Sequence, residues 1–391
     1  MPVRLHHRRA TPRRALVLVA AVLALSGCGR GERYTEIIDV EPAVDAALVT
    51  APPADSKARN EAMLGTFRTF GDLQVMTYVG DFDQAIAFQH HQIMQQFGGS
   101  TTGGTGRGCS MFAVRTGRDA GLVGRNYDQE DSQVLAGWFY PRDGYASVAL
   151  LPLRELGYTP QEPFDPDLPQ HRRSLLYAPV MAIEGMNEMG VTVTLASLGR
   201  REVTPDPGKP SRFLIHLVRE ILDRAGSVHE AVAIAEGYNV FDNGQDIISH
   251  HIFLADPRSG SAVLEWRGGV MHMVKDPGPL QVVTNSPLFE VPLEQRRRAC
   301  DRYDTLCDDL ADRDAPPTWQ EAMDALADAR QNHRRYEIDG RRLDVSTQWS
   351  AVFVPERGEV MLALRGDYRR VYRLPLRRAG AAAAPVTSGE S

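Results

Sequence analysis

Residues 108–128 read Gly108-Cys109-Ser110-Met111-Phe112-Ala113-Val114-Arg115-Thr116-Gly117-Arg118-Asp119-Ala120-Gly121-Leu122-Val123-Gly124-Arg125-Asn126-Tyr127-Asp128. Two apolar runs flank a turn-rich centre, so the stretch predicts a hairpin, with Cys109–Arg115 as the outgoing strand and Leu122–Asp128 as the return. With the turn centred between Arg118 and Asp119, Cys109 falls opposite Asp128 and Phe112 opposite Arg125. Opposed residues have Cβ atoms about 5 Å apart. A thiol, a carboxylate and a guanidinium then meet at the strand ends. Directly upstream, Ser100–Gly108 (STTGGTGRG) has the composition of a flexible linker, and such segments are where chains are cut. A cut after Gly108 frees an α-amine with a reference pKa of about 8, which can act as the base for its own side chain. A nearby cation helps turn the thiol into a nucleophile. No histidine is needed, and no Cys/His pairing signature surrounds Cys109.

The bulk numbers set bounds on this reading. With 391 residues, 43% apolar and 24% charged, the chain is globular in composition and long enough for one large domain or two ordinary ones. Its formal charge is −6, and without the five arginines of residues 1–27 it is −11. So acidic a body argues against nucleic-acid binding. The basic stretch Met1–Arg14, the apolar run Ala15–Leu25 and then Ser26-Gly27-Cys28 read as a secretory leader, its core too short to span a bilayer. Leu25-Ser26-Gly27-Cys28 resembles the bacterial lipoprotein box, which implies export, lipid on Cys28 and anchoring in the cell envelope. Arg13-Arg14 is only a weak twin-arginine signal. Of the remaining cysteines, Cys300 and Cys307 sit seven apart in a segment that reads as helix. That places them about 10.5 Å apart along the axis, beyond disulfide reach. Cys109 is left without a partner.

The expected organisation is a leader at 1–27, a lipid-anchored pro-segment or small subunit at 28–108, a catalytic domain at 109–375 and a disordered tail at 376–391. Leu73–Val79 reads as a strand and Asp83–Phe97 as an amphipathic helix bearing His90 and His91. Beyond Cys109, strand-like runs appear at Met111–Arg115, Gly121–Asn126, Ala146–Leu151, Gly190–Leu195, Ile252–Ala255, Ala262–Trp266, Gln281–Thr284, Ala351–Val354 and Val360–Leu364. Helical patterns occupy Ser211–Ala225, Val228–Glu236, Leu293–Leu310 and Trp319–Arg330, and Ser227 with Glu230 forms a capping box. Many strands with helices in blocks predict a layered α+β protein. His250 and His251, beside a strand, read as structural.

The motifs, taken together, resemble a known family. Gly108-Cys109-Ser110-x-Phe112 with Gly124-Arg125-Asn126-Tyr127-Asp128 is similar to the N-terminal-nucleophile amidases of the choloylglycine hydrolase superfamily. That group includes bile-salt hydrolases, penicillin V acylases, acid ceramidase and the penicillin acyltransferases. Glu184-Gly185-Met186-Asn187-Glu188-x-Gly190-Val191, Thr284-Asn285-Ser286-Pro287-x-Phe289 with Gln295, and Thr347-x-Trp349-Ser350-x-Val352 resemble its later motifs, so the likeness runs from about Cys109 to Tyr372. It implies a four-layer αββα sandwich of two antiparallel sheets, autocleavage between Gly108 and Cys109, and Cys109 as nucleophile. Arg125 and Asp128 would tune and orient it, and Asn285 would serve as an oxyanion donor. The second donor falls at about Ser197, where many members carry Asn or Tyr. A late family arginine corresponds to Arg302, as a substrate-binding residue, with Arg296, Arg297 and Arg298 close by. The implied reaction is hydrolysis of linear amides in small N-acyl compounds, with no metal and no other cofactor. The alternatives are an acyltransferase of the same fold and a lipid-anchored binding protein without catalysis. Trp138–Tyr145 and Pro160–His171 are the expected pocket loops. Acyl group, amine and oligomeric state are not specified.

Overall fold

The structure is a computed structural model that describes residues 33–42, 46–83, 85–87, 108–116, 120–242, 246–258, 260–311, 317–338 and 341–376. The leader, Cys28, the linker before Gly108, most of the expected helix Asp83–Phe97 and the tail fall outside those residues. Two sheets form the body. In spatial order the first holds β1 (Glu36–Asp39), β19 (Asp367–Pro375), β18 (Glu359–Leu364), β17 (Arg341–Val354), β5 (Ala120–Gln129), β4 (Gly108–Thr116) and β15 (Leu280–Val283), with β16 (Arg334–Ile338) paired to β17. The second runs β14 (Val270–Val274), β13 (Gly260–Arg267), β12 (Ile247–Asp256), β9 (Thr192–Glu202), β8 (Glu184–Asn187), β7 (Ser147–Pro152), β6 (Val134–Pro141), β3 (Leu73–Gly80) and β2 (Arg68–Phe70). A short parallel pair, β10 (Ser211–Phe213) and β11 (Asn239–Phe241), stands apart. Both large sheets are antiparallel except where β1 joins β19 and β3 joins β6.

The α-helices among the described residues include α1 (Ala46–Thr50), α2 (Ser56–Gly65), α3 (Pro169–Ser174), α4 (Leu214–Arg224), α5 (Val228–Glu236), α6 (Leu293–Ala299), α7 (Asp301–Leu310) and α8 (Trp319–Asp328). α4 packs on β8 and β9 and α5 on β12 and β13, while α7 packs on β4 and β15 and α8 on β5 and β17. This gives helix, sheet, sheet and helix layers, the expected αββα arrangement. A strand covered on both faces needs no polar side, which is why β3, β6 and β7 are near-continuous apolar runs with β-branched and aromatic residues.

The hairpin forms one residue out of the expected register. Cys109 pairs with Tyr127 and Met111 with Arg125, while Asp128 pairs with Gly108. The connection between Thr116 and Ala120 holds three residues, an odd number, and a slip of one exchanges the two faces. Cys109, Met111, Arg125 and Tyr127 therefore point toward the second sheet, where the Thr194 hydroxyl meets Met111 Sδ. Gly108, Asn126 and Asp128 point toward the helices, and Asn126 Nδ2 donates to the Leu326 carbonyl of α8.

Other expectations also need correction. The helix expected over Leu293–Leu310 is two helices, broken at Cys300, whose backbone is extended (φ −153°, ψ 114°). The cysteine spacing along one straight helix therefore does not apply, although Cys109, Cys300 and Cys307 are all free thiols. Ser211–Phe213 is a strand that leads into α4. Ser227 caps α5, but Glu230 returns its carboxylate to the Gly226 N–H and not to Ser227; the reciprocal box is at Thr318 and Glu321 on α8. Trp138 is core, its indole Nε1 donating to the Pro375 carbonyl at 2.8 Å. Of the expected pocket loop Trp138–Tyr145, residues 138–141 belong to β6, where Trp138 pairs with Val148 and Phe139 with Ser147.

Candidate active site

Cys109 is the second residue of β4, and three polar atoms engage it from three elements. Its N–H donates to Asn285 Oδ1 at 2.8 Å, its carbonyl accepts from Arg302 Nη1 at 2.6 Å, and its Sγ accepts from Arg125 Nη2 at 3.4 Å. Asn285 follows the end of β15, the neighbour of β4, so sheet pairing alone brings it to the nucleophile strand. Its Nδ2 donates to the Ser197 carbonyl on β9 at 2.8 Å, which fixes the amide orientation. Arg302 is the second residue of α7. The break at Cys300 starts this helix afresh, and the guanidinium reaches Asp128 Oδ2 at 3.0 Å and Asn285 Oδ1 at 2.9 Å besides Cys109.

Asp128, on the opposite face of β5 from the thiol, accepts from Thr347 Oγ1 at 2.6 Å and Gln331 Nε2 at 3.2 Å as well as from Arg302. Burial pushes its carboxyl up, while Arg302 and the two hydrogen bonds pull the other way. Gly108 pairs with Asp128, and a Cβ there would lie 2.3 Å from Gln331 Nε2 and 2.8 Å from Asp128 Cβ. Only glycine fits. Arg125 forms an ion pair from Nε to Glu184 Oε2 on β8 at 2.6 Å, with both side chains fully buried.

Two guanidiniums and two carboxylates are thus matched in separate pairs, Arg302 with Asp128 and Arg125 with Glu184, and the cluster carries no net charge. Burial pushes the Cys109 thiol above its ordinary value; Arg125, Arg302 and the Asp128 backbone N–H oppose this, and the Asp128 charge adds to it. In the continuous chain the thiol is a neutral group, 5% exposed. The larger described grooves lie elsewhere, one lined by Pro279, Leu293 and Tyr303, the other by Lys57, Arg173 and Tyr177.

Five expected side chains, those of Cys109, Arg125, Asp128, Asn285 and Arg302, converge here, and Ser197 joins them through its backbone carbonyl. Cys28 lies outside the described residues. Ser197 faces Asn285 with its carbonyl, an acceptor. Glu184, Thr347 and Trp349 sit inside the quoted motifs, but sequence reading assigned them no role. Gln331 carries no sequence signal at all, because its partner Asp128 is 203 residues away. His250 Nδ1 lies 2.5 Å from Asp242 Oδ2, and buried His251 is pushed down to about 3 by desolvation, which makes it a neutral packing group. Among the described residues no three His, Cys, Asp or Glu side chains are grouped to hold a metal ion.

No family model and no curated protein sequence matches the chain. Among solved structures the chain is similar to a mutant conjugated bile acid hydrolase from Clostridium perfringens, with TM-score 0.47 and 15% identity over 66% of this chain and 89% of that one. It is also similar to penicillin V acylase from Agrobacterium tumefaciens, with TM-score 0.48 and 17% identity over 66% and 83% of the two chains. A second variant of the same bile acid hydrolase gives TM-score 0.47 and 16% identity over 66% and 89%.

Proposed function

We propose that the chain is the precursor of an exported N-terminal cysteine amidase, cut between Gly108 and Cys109, that hydrolyses the linear amide bond of small N-acyl compounds. The observation that carries this reading is the hold on Cys109: Asn285 on its nitrogen, Arg302 on its carbonyl and Arg125 on its sulfur, beside a residue 108 with no room for a side chain. A catalytic nitrogen needs a fixed acceptor, and Asn285 Oδ1 stands ready for the amine that a cut would leave.

In this reading the freed α-amine takes the Cys109 proton and the thiolate attacks the acyl carbon. Asn285 has a second Nδ2 hydrogen besides the one given to Ser197, and this hydrogen and a backbone N–H stabilise the tetrahedral oxyanion. Each such donor contributes about 3 kcal/mol to lowering the barrier. Since the Ser197 carbonyl already accepts from Asn285, Ser197 also orients the first donor. The C–N bond then breaks, the leaving amine takes the proton from the α-ammonium, and a thioester remains. Water attacks the thioester, the amine again takes the proton, and acid and free thiol are released. The leader-like residues 1–27 and Cys28 support a lipid anchor in this reading, and Cys28→Ser should then move the enzyme to the soluble fraction.

A screen of bile-acid conjugates, phenoxyacetyl and fatty-acyl β-lactams, acyl homoserine lactones and N-acylethanolamines tests the activity. The reading predicts free amine release that falls at least about 1,000-fold in Cys109→Ala. Release at the same rate in Cys109→Ala would remove Cys109 from the chemistry.

A further inference from the structure

We propose that Glu184 is a positioning residue: reaching across the sandwich, it fixes the Arg125 guanidinium and offsets its charge, so that Arg125 meets the Cys109 thiol as a hydrogen-bond donor and not as a free cation. Glu184 divides its oxygens between two partners. Oε2 lies 2.6 Å from Arg125 Nε, and Oε1 accepts from Trp349 Nε1 at 2.6 Å. The Trp349 ring stacks on Tyr127 with centroids 4.0 Å apart, and Arg125 lies over Tyr127 at 5.2 Å. Four buried side chains on β5, β8 and β17 thereby close a ring. An arginine has several rotatable bonds, and a carboxylate against Nε leaves its guanidinium little freedom. Nη2 is then held toward Cys109 Sγ.

Groups facing Cys109 are Arg125, Arg302, Asp128 and Tyr127; those facing Arg125 are Glu184, Cys109, Tyr127 and Asp128. Among the described residues Glu184 is the one carboxylate in ion-pair contact with Arg125. Arg125 is the foremost group pulling the thiol down against burial; a carboxylate 2.6 Å from its Nε offsets part of that pull, and further acidification falls to the α-ammonium that a cut at Gly108 would supply. The catalytic meaning rests on the amidase reading, but the charge relation does not. The test reads the thiol directly, so failure of one is distinguishable from failure of the other.

The experiment is the pH profile of iodoacetamide labelling at Cys109, followed by peptide mass spectrometry so that Cys300 and Cys307 are scored separately. In Glu184→Gln the unmatched guanidinium should move the labelling midpoint down by about one pH unit, and Glu184→Asp, which keeps the charge, should restore it. Coincident midpoints in wild type, Glu184→Gln and Glu184→Asp would overturn the proposal. Because a lone buried guanidinium can prevent folding, a second arm removes both charges. Arg125→Met with Glu184→Met should label within about 0.3 pH units of wild type, since a cancelled pair leaves little net field. An upward displacement of about a full unit in that double variant would show that Arg125 acts on the thiol uncancelled, and would overturn the proposal equally.

Discussion

At Gly108 the constraint is steric and local. Gly108→Ala pushes a methyl into Gln331 and Asp128 Cβ, and overpacking of this kind costs about 1–3 kcal/mol. The expected outcome is a lower melting temperature together with a smaller cut fraction by intact mass; unchanged values for both would show that the pocket around residue 108 gives way. At Asp128 the constraint is electrostatic. Asp128→Asn leaves Arg302 without its carboxylate, and losing one partner of a buried pair costs about 3–5 kcal/mol, measurable as a lowered urea midpoint. Sequence reading reached the residues at this scale through motif spacing. It missed Gln331 and gave no role to Glu184, because their contacts join positions far apart in the chain and leave no local pattern.

The elements explain which parts of the site could be read in advance. Strands covered on both faces show as apolar runs, so β4, β5, β9, β12 and β18 were legible. The register was not, because the length of a turn cannot be fixed from Thr116–Gly121 alone, and one residue decides the facing of Asp128. Nor was the break at Cys300, since Leu293–Leu310 contains no Pro or Gly. Restarting the helix at Asp301 goes with the contacts of Arg302 to Cys109, Asp128 and Asn285, tertiary context of the kind that outweighs local helix propensity. A prediction belongs to β12 and the loop that follows β15. His251 lies 3.6 Å from Glu265, whose carboxylate accepts from the Leu288 and Phe289 N–H groups in the loop after β15. Its folded pKa of about 3 lies below the ordinary 6.5, so between those values the unfolded chain binds the extra proton. The stabilising contribution is complete above pH 6.5 and is lost as pH falls toward 3, at up to about 1.4 kcal/mol per pH unit. In His251→Gln the acid slope of unfolding free energy between pH 6 and pH 4 should be shallower by about that amount; parallel slopes would contradict it.

Across the whole molecule, the segment before Cys109 is built into both sheets. β1 lies alongside β19, and β3 lies alongside β6 over eight residue pairs. A cut at Gly108 therefore leaves the short piece held by two ladders and a shared core. Native mass spectrometry should find both pieces in one particle that separates only in denaturant; recovery of the catalytic piece alone from native buffer would contradict this. The same construction would let a lipid on Cys28 retain the larger piece without a covalent link. If Cys109 works from a new chain end, N-terminal sequencing of the large fragment from purified, active protein will read it. Cys109 is the expected first residue. Full activity in a preparation whose Gly108–Cys109 bond is intact would contradict it.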